Sequence, residues 1–396
     1  MSFKQKMLDV IQGQTVDRIP WVPRLDLWYR ANEKAGTLPE KHKNASLFEI
    51  VKAENMGFHA VISNFRDLRS LEDDLHRALG IYNLHMMPYK TVLHNVDVNV
   101  KREGDRTHVR YTAPVGEITT TVLFDDKMRK SGITITHIEE HAITEQDDYE
   151  PLGYIFRNLE VLPNYEGYQK FASQIGQQGI AVGFASLAGS PMHLIQRELM
   201  YLETFFFEMH DHPEKLKKLA RAIGIYWDRM LDVIKKSPAE VILIGANYDH
   251  SVTYPPFFKE YIEPWLKKWS DTLHRHSKYL LTHTDGENKG LLNHYLRSGI
   301  DVADSICPEP MTSLSFQEVR EAFGEEIVIM GGIPSLAFLP DSFSDQEFKE
   351  FMDDFFCQIG DGRDLILGIS DTTPPAADFN RILYVRDRIN EMDKPF

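Results

Sequence analysis

The stretch KYLLTHTDGENKGLLNHYLRSGIDVADSICP (278–308) decides the fold. It starts as a short apolar run, breaks at Asp285-Gly286, continues as a helical segment, and ends in a second apolar run. Two short apolar runs joined by a helix make the unit of a parallel sheet. The same unit recurs along the chain. The apolar runs are RIPWV (18–22), HAVIS (59–63), GIAVGFAS (179–186), EVILIGANYD (240–249), KYLLTHTDG (278–286), IDVADSICP (300–308), EIVIMGGIP (326–334) and DLILGISD (364–371). They are rich in Val, Ile and Leu and apolar on both faces, as strands covered by helices must be. PPFFKEYIEPWLKKWSDTLHRHS, NKGLLNHYLRSG, LSFQEVREAFG and SDQEFKEFMDDFFCQIG supply helices between the last five. This alternation predicts an α/β chain folded as a (β/α)8 TIM barrel, one domain over 1–396. A doubly wound open sheet is the structural alternative.

One region departs from the pattern. Residues 91–138 alternate Val, Thr, Tyr and Ile between turn signals at REGD, PVG and KSG. That predicts an antiparallel β-hairpin insertion between the second and third strands. TEQDDYEPLGYIFRN then returns to a helix with an acidic first turn.

Composition narrows the function. A net charge of -15 argues against nucleic acid or an anionic membrane as partner, since phosphate binding needs a basic surface. No run reaches the roughly 18 apolar residues of a membrane span. MSFKQKMLDVIQGQ opens as an amphipathic helix without the apolar core of a signal peptide. The two cysteines, Cys307 and Cys357, make no disulfide framework and fit a reducing cytoplasm. Cys357 falls within a helix and reads as core.

In a barrel, chemistry gathers at the C-terminal strand ends. Those ends carry Arg24, Asp26 and Trp28; Ser63 and Asn64; Ser186; Asn247, Tyr248 and Asp249; His283, Asp285 and Glu287; Cys307 and Glu309; and Ser370 and Asp371. His283-x-Asp285, with Cys307 at the next strand end, has the donor types of a zinc site. A hydrogen-bonded histidine, an Asp-Gly turn and a buried small cysteine fit the same letters. Asp371 is a reserve ligand. Asp249 is expected to orient substrate or move a proton, the competing role being a helix cap.

The strings THTDGENKGLLNHYLRSGIDVADS, GGIP, LILGISDTTPP and ANYDHSVTYPPFFKEYIEPWLKKW resemble the uroporphyrinogen decarboxylase superfamily, most closely from about 179 to 380. TAPVG and TEQDDYEPL look like its methyltransferase branch, which includes methylcobalamin:coenzyme M methyltransferases and the methyltransferase components of corrinoid-dependent demethylation systems. PRLDLWYRANEKAG keeps Arg24 and Arg30 but lacks the arginine-rich motif of the decarboxylase. In the zinc methyltransferases of the branch, a cysteine stands where Asp285 is, and another near the eighth strand where Ser370 and Asp371 are. The resemblance implies a cytoplasmic methyltransferase that moves a methyl group from an ether, methoxy-aromatic or methylamine donor to a corrinoid on a partner protein. Zinc would be held by His283, Asp285 and Cys307. Arg24, Asp26, Trp28, Asn64, Asn247 and Tyr248 would meet the donor. Trp28, Tyr29, Phe65 and Tyr248 would supply aromatic surface, or ordinary rim packing. A porphyrinogen lyase, a metal-dependent hydrolase and a non-catalytic ligand-binding barrel are the competing classes. Against the hydrolase, the first strand lacks His-x-His; His274-Arg275-His276 has the pattern but precedes the fifth strand.

Overall fold

A computed structural model of the chain describes residues 1–68, 74–360 and 362–392. The expected N-terminal helix runs Phe3–Ile11 with Ser2 as its cap. β1 (Tyr89–Leu93) begins the region of hairpins. β2 (Asp97–Glu103), β3 (Arg106–Ala113), β4 (Gly116–Leu123) and β5 (His137–Glu140) form a four-stranded antiparallel sheet in chain order. β6 (Leu159–Pro163) then returns to pair antiparallel with β1, Leu93 opposite Leu159. The sheet and the helix Tyr149–Arg157 therefore hang from a two-stranded neck. LEVLP carries too little alternation for β6 to stand out in the sequence, because its partner is distant along the chain.

The main sheet is parallel and six-stranded, ordered β12-β11-β10-β9-β8-β7. Its strands are β7 (Gly183–Ser186), β8 (Val241–Ala246), β9 (Tyr279–His283), β10 (Val302–Ile306), β11 (Val328–Ile333) and β12 (Leu365–Ile369). Each falls within one of the last six apolar runs. Nearly every residue in them is buried, because helices cover the sheet.

The first two runs differ from expectation: neither forms a regular strand. RIPWV makes one bridge, Trp21 to Leu367, flanked by hydrogen bonds from Val22 N–H to Leu367 O and from Leu367 N–H to Pro20 O. Pro20 and Pro23 lack the N–H groups a longer ladder needs. HAVIS contributes only Ala60 O, which accepts from Val182 N–H, while Gly57 N–H just before it bonds to Trp21 O. Two bonds tie β12 to residues 18–22, one ties those to residue 57, and one ties residue 60 to the segment before β7.

The four expected helices form at Glu263–His274, Leu292–Ser298, Phe316–Phe323 and Asp345–Gln358. The first is preceded by a π-turn at Phe258–Ile262. Pro264, which cannot donate to the preceding turn, accounts for it. Cys357 lies on the last helix but is exposed, contrary to the expectation of a core position. Phe348, Met352 and Phe355 make the buried face of that helix, and a residue two past Phe355 falls about 200° round it.

Gly245, in β8, shows how tightly the strand end is packed. It sits at φ +85°, and a Cβ there would come 1.8 Å from the Tyr248 hydroxyl. Tyr248 is fully buried between the rings of His193, Phe258 and Tyr295 and cannot retreat. Gly245→Ala is expected to cost about 1–3 kcal/mol from overpacking and left-handed strain. Urea unfolding measures it, and an unchanged midpoint would show that Tyr248 repacks freely.

Candidate active site

β9 delivers His283 to the C-terminal edge of the sheet, 3 % exposed. β10 delivers its neighbour. A bulge between Asp304 and Ile306, with Ser305 at φ 64°, sets the aim of the Asp304 carboxylate. That carboxylate accepts from His283 Nδ1 at 2.6 Å and His59 Nε2 at 3.2 Å. On the other side, His283 Nε2 lies 3.4 Å from Asp371 Oδ1, just past β12. Asp371 also accepts from Arg24 at 2.8 Å; Arg24 reaches Asp26 at 3.2 Å, and Arg30 meets Asp26 at 2.7 Å.

The charges follow from these contacts. Burial alone would lower the His283 pKa, but the Asp304 and Asp371 carboxylates push it up to about 9. Burial opposes the Asp304 charge, yet His283 and His59 hold that carboxyl well below the ordinary range. Burial likewise opposes Asp26, which Arg24 and Arg30 hold at about 2. Asn247, Ser305 and Asp371 all have positive φ, at 57°, 64° and 54°. Three strained non-glycine residues at the ends of alternate strands, β8, β10 and β12, mark a site whose geometry the surrounding fold enforces.

His283, Asp285 and Asp371 each offer one ligand atom, all within 4.8 Å of one another. Cys307 is outside this group. Its Sγ donates to Asp285 Oδ1 at 3.2 Å, and burial together with Asp285 pushes the thiol far up. Cys307 thus serves as a protonated donor that orients Asp285, whose other oxygen accepts from Asn247 Nδ2 at 2.9 Å.

A cavity of about 230 Å³ opens beside His283 and Asp371. Leu27, Ile62, Phe65, Ile135 and Leu187 make its apolar wall; Arg24, Asp26, Arg30, Arg197 and Asn247 make its polar one. Arg24, Asp26 and Asn247 thereby take the cavity positions expected of them. Four expected residues do not. Trp28 is buried, stacked on Phe379 with ring centroids 5.0 Å apart. Tyr248 is buried, its hydroxyl 3.1 Å from the Thr282 hydroxyl. Asn64 accepts from Arg66 N–H at 3.0 Å, a local turn. Asp249 is a loop tie: its carboxylate accepts from the backbone N–H groups of Ser251 at 2.8 Å and Glu287 at 3.3 Å. Asp249 caps no helix, because the one that follows, Pro255–Phe257, has Tyr254 at its N-cap. Of the expected aromatic surface, only Phe65 lines the cavity.

Sequence reasoning missed Asp304, His59 and Arg197. Asp304 sits inside an apolar strand run, and its acidity there was the one available signal. Arg197 lies on a helical segment, away from any strand end. Its guanidinium reaches Ala246 O at 2.9 Å and Glu198 at 3.1 Å.

The family model described as uroporphyrinogen decarboxylase (URO-D) matches residues 132–392. The chain belongs to this family. The match takes in all six strands of the main sheet and every site residue above except Arg24, Asp26, Arg30, His59 and the early cavity wall. Among solved structures, a methyltransferase from Methanosarcina mazei is similar over 100% of both chains, with a TM-score of 0.57 and 14% identity. That likeness is one of fold. A comparison with curated proteins gives no match. No described helix is long and apolar enough to cross a membrane.

Proposed function

We propose that this family member is a methyltransferase that takes a methyl group from a small methylated donor and passes it to a corrinoid on a separate protein. We read the sheet, with residues 18–22 and 57–60 joining its edges, as a closed eight-stave barrel whose mouth holds the site. The observation that carries the proposal is the array Asp304–His283–Asp371 beside a small cavity.

A zinc-type ion fits these residues. Two donors about 2.1 Å from one tetrahedral ion stand roughly 3.4 Å apart, the observed separation of His283 Nε2 and Asp371 Oδ1. Asp304 on Nδ1 supplies the outer carboxylate that ligating histidines usually have. His283, Asp285 and Asp371 would hold the ion. When bound, it would supply Lewis acidity toward the donor's departing oxygen or nitrogen. The chain's own groups do the rest. Asp304 fixes the imidazole, Arg24 steadies Asp371, Cys307 and Asn247 orient Asp285, and the apolar wall keeps water from the methylated atom.

Cavity size supports this reading over a porphyrinogen lyase. At about 230 Å³ it is smaller than the roughly 300–1,000 Å³ of pockets for drug-sized ligands. It suits a single ring or a small amine. The test combines metal analysis with methyl transfer to free Co(I) corrinoid, using protein purified without chelators. About one equivalent of zinc, and transfer abolished by His283→Ala, is the expected result. A metal-poor protein in which neither metal content nor transfer responds to His283→Ala would instead support a non-catalytic barrel.

A further inference from the structure

The hairpin sheet ends in an open strand. β2 lies at one edge of the order β2-β3-β4-β5, and no strand among the described residues pairs with its outer side. It is seven residues long, six of them exposed, and it pairs with β3 without a bulge. Edge strands are normally guarded by a proline, a bulge or repelling charges that stop another chain from pairing. DVNVKRE has no proline, and its charges are of both signs. The turn after it fixes which backbone groups point outward. Glu103 and Arg106 flank a two-residue loop whose first residue, Gly104, sits at φ 59°, so that pair exchanges both of its backbone hydrogen bonds. Alternation then commits Lys101, Asn99 and Asp97 to β3 and turns the N–H and C=O groups of Val98, Val100 and Arg102 outward. The side chains divide the same way. Val98 and Val100 stand opposite Tyr111 and Val109 on the apolar face, yet Val98 is 37 % exposed. Asp97, Asn99 and Lys101 share the other face, where Lys101 meets only Glu103 among the described residues.

We propose that β2 docks a second copy of this chain: two β2 strands pair antiparallel about a two-fold axis at Asn99 and join two hairpin sheets into one. The strand is self-complementary in that register. Asp97 faces the partner's Lys101, and Val98 faces the partner's Val100 on the same face, the kinds of cross-strand pair that stabilise a sheet. Both valines turn their backbone groups outward, so each Val98–Val100 pair exchanges two hydrogen bonds. Other registers lose this match. An axis at Val100 sets Asp97 against Glu103, an axis at Lys101 sets lysine against lysine, and an axis at Val98 leaves Asp97 without a cation. The contact involves few residues, so the dimer is weak and forms only as concentration rises.

Sedimentation of the full chain over a range of concentrations tests the docking, in a Cys357→Ser background because Cys357 is exposed. A monomer–dimer equilibrium is expected. Val100→Pro should abolish it at an unchanged melting temperature, since an edge strand tolerates proline where the lost N–H faced solvent. Lys101→Asp should weaken association by about tenfold. Adding Asp97→Lys to that variant should restore it, which general damage to the edge would not. Oxidised Asn99→Cys should cross-link, because facing residues outside the hydrogen-bonded pairs stand about 4.5 Å apart at Cα, within disulfide reach. Val98→Cys, roughly 8 Å from its own counterpart, should not. A monomer at every concentration, a dimer that survives Val100→Pro, failure of the charge swap to rescue, or cross-linking through Val98→Cys in place of Asn99→Cys overturns the proposal.

Discussion

Asp304→Asn is expected to lower both zinc affinity and methyl-transfer rate by about 10–100-fold, the usual cost of removing the carboxylate behind a ligating histidine. Asp304 is almost fully buried, and its only described side-chain partners are His283, His59 and Ser305. The carboxylate can only accept, so it requires a proton on His283 Nδ1 and leaves Nε2 to face Asp371 and Asp285. An asparagine can instead present its amide N–H₂ to Nδ1. The imidazole would then favour the tautomer whose Nε2 carries the proton and cannot ligate. Affinity measured against a chromophoric chelator separates this from unfolding, as does the melting temperature. His59→Ala should show the same trend more weakly, since it touches only the far oxygen of Asp304. Unchanged affinity and rate in Asp304→Asn would mean that His283 is held by something else.

Glu198→Ala should destabilise the protein by about 3–5 kcal/mol, the range for breaking a buried ion pair from one side. Glu198 pairs with Arg77 and Arg197 and accepts at 3.4 Å from the Tyr82 hydroxyl. Burial alone would raise its carboxyl, but the two arginines hold it below the usual range. Truncation leaves the Arg77 guanidinium buried, with the Tyr82 ring against it and no other carboxylate paired with it among the described residues. Replacing both partners with leucine should recover most of the loss, because no charge then remains buried. Urea unfolding of the single and double variants measures the difference. A loss below about 1 kcal/mol in Glu198→Ala would show that Arg77 finds water or another acceptor.

The parallel sheet was legible because apolar runs buried on both faces are hard to read as anything else. Residues 18–22 and 59–63 carried the same composition, but composition does not report backbone pairing; the prolines at 20 and 23 did. In the site, His283 and Asp371 were legible because each ends or succeeds a run. Asp249 misled for the same reason: position at a strand end says nothing of whether nearby backbone N–H groups have already claimed a carboxylate. Trp28 and Tyr248 belong to that error too, since helices packing against the rim bury aromatic residues that local pattern leaves open. Asp304 was hidden because it lies within a strand run and not at its end. Its place opposite His283 depends on the register between two strands, which neither run reports alone. Arg197 was invisible because its role depends on sharing Glu198 with an arginine far away in sequence.

The two-stranded neck has a consequence for how such a protein can diversify. Ile133, Thr134 and Ile135 line the cavity, yet they belong to the segment just before β5, out in the hairpin region beyond the neck. The strand-end side and the appendage side of the cavity are thus written in separable parts of the gene. Mutations near 133–135 can reshape which molecules fit while strands and strand ends stay as they are. A lineage could change what the cavity admits by editing a surface appendage and inherit the strand-end array untouched.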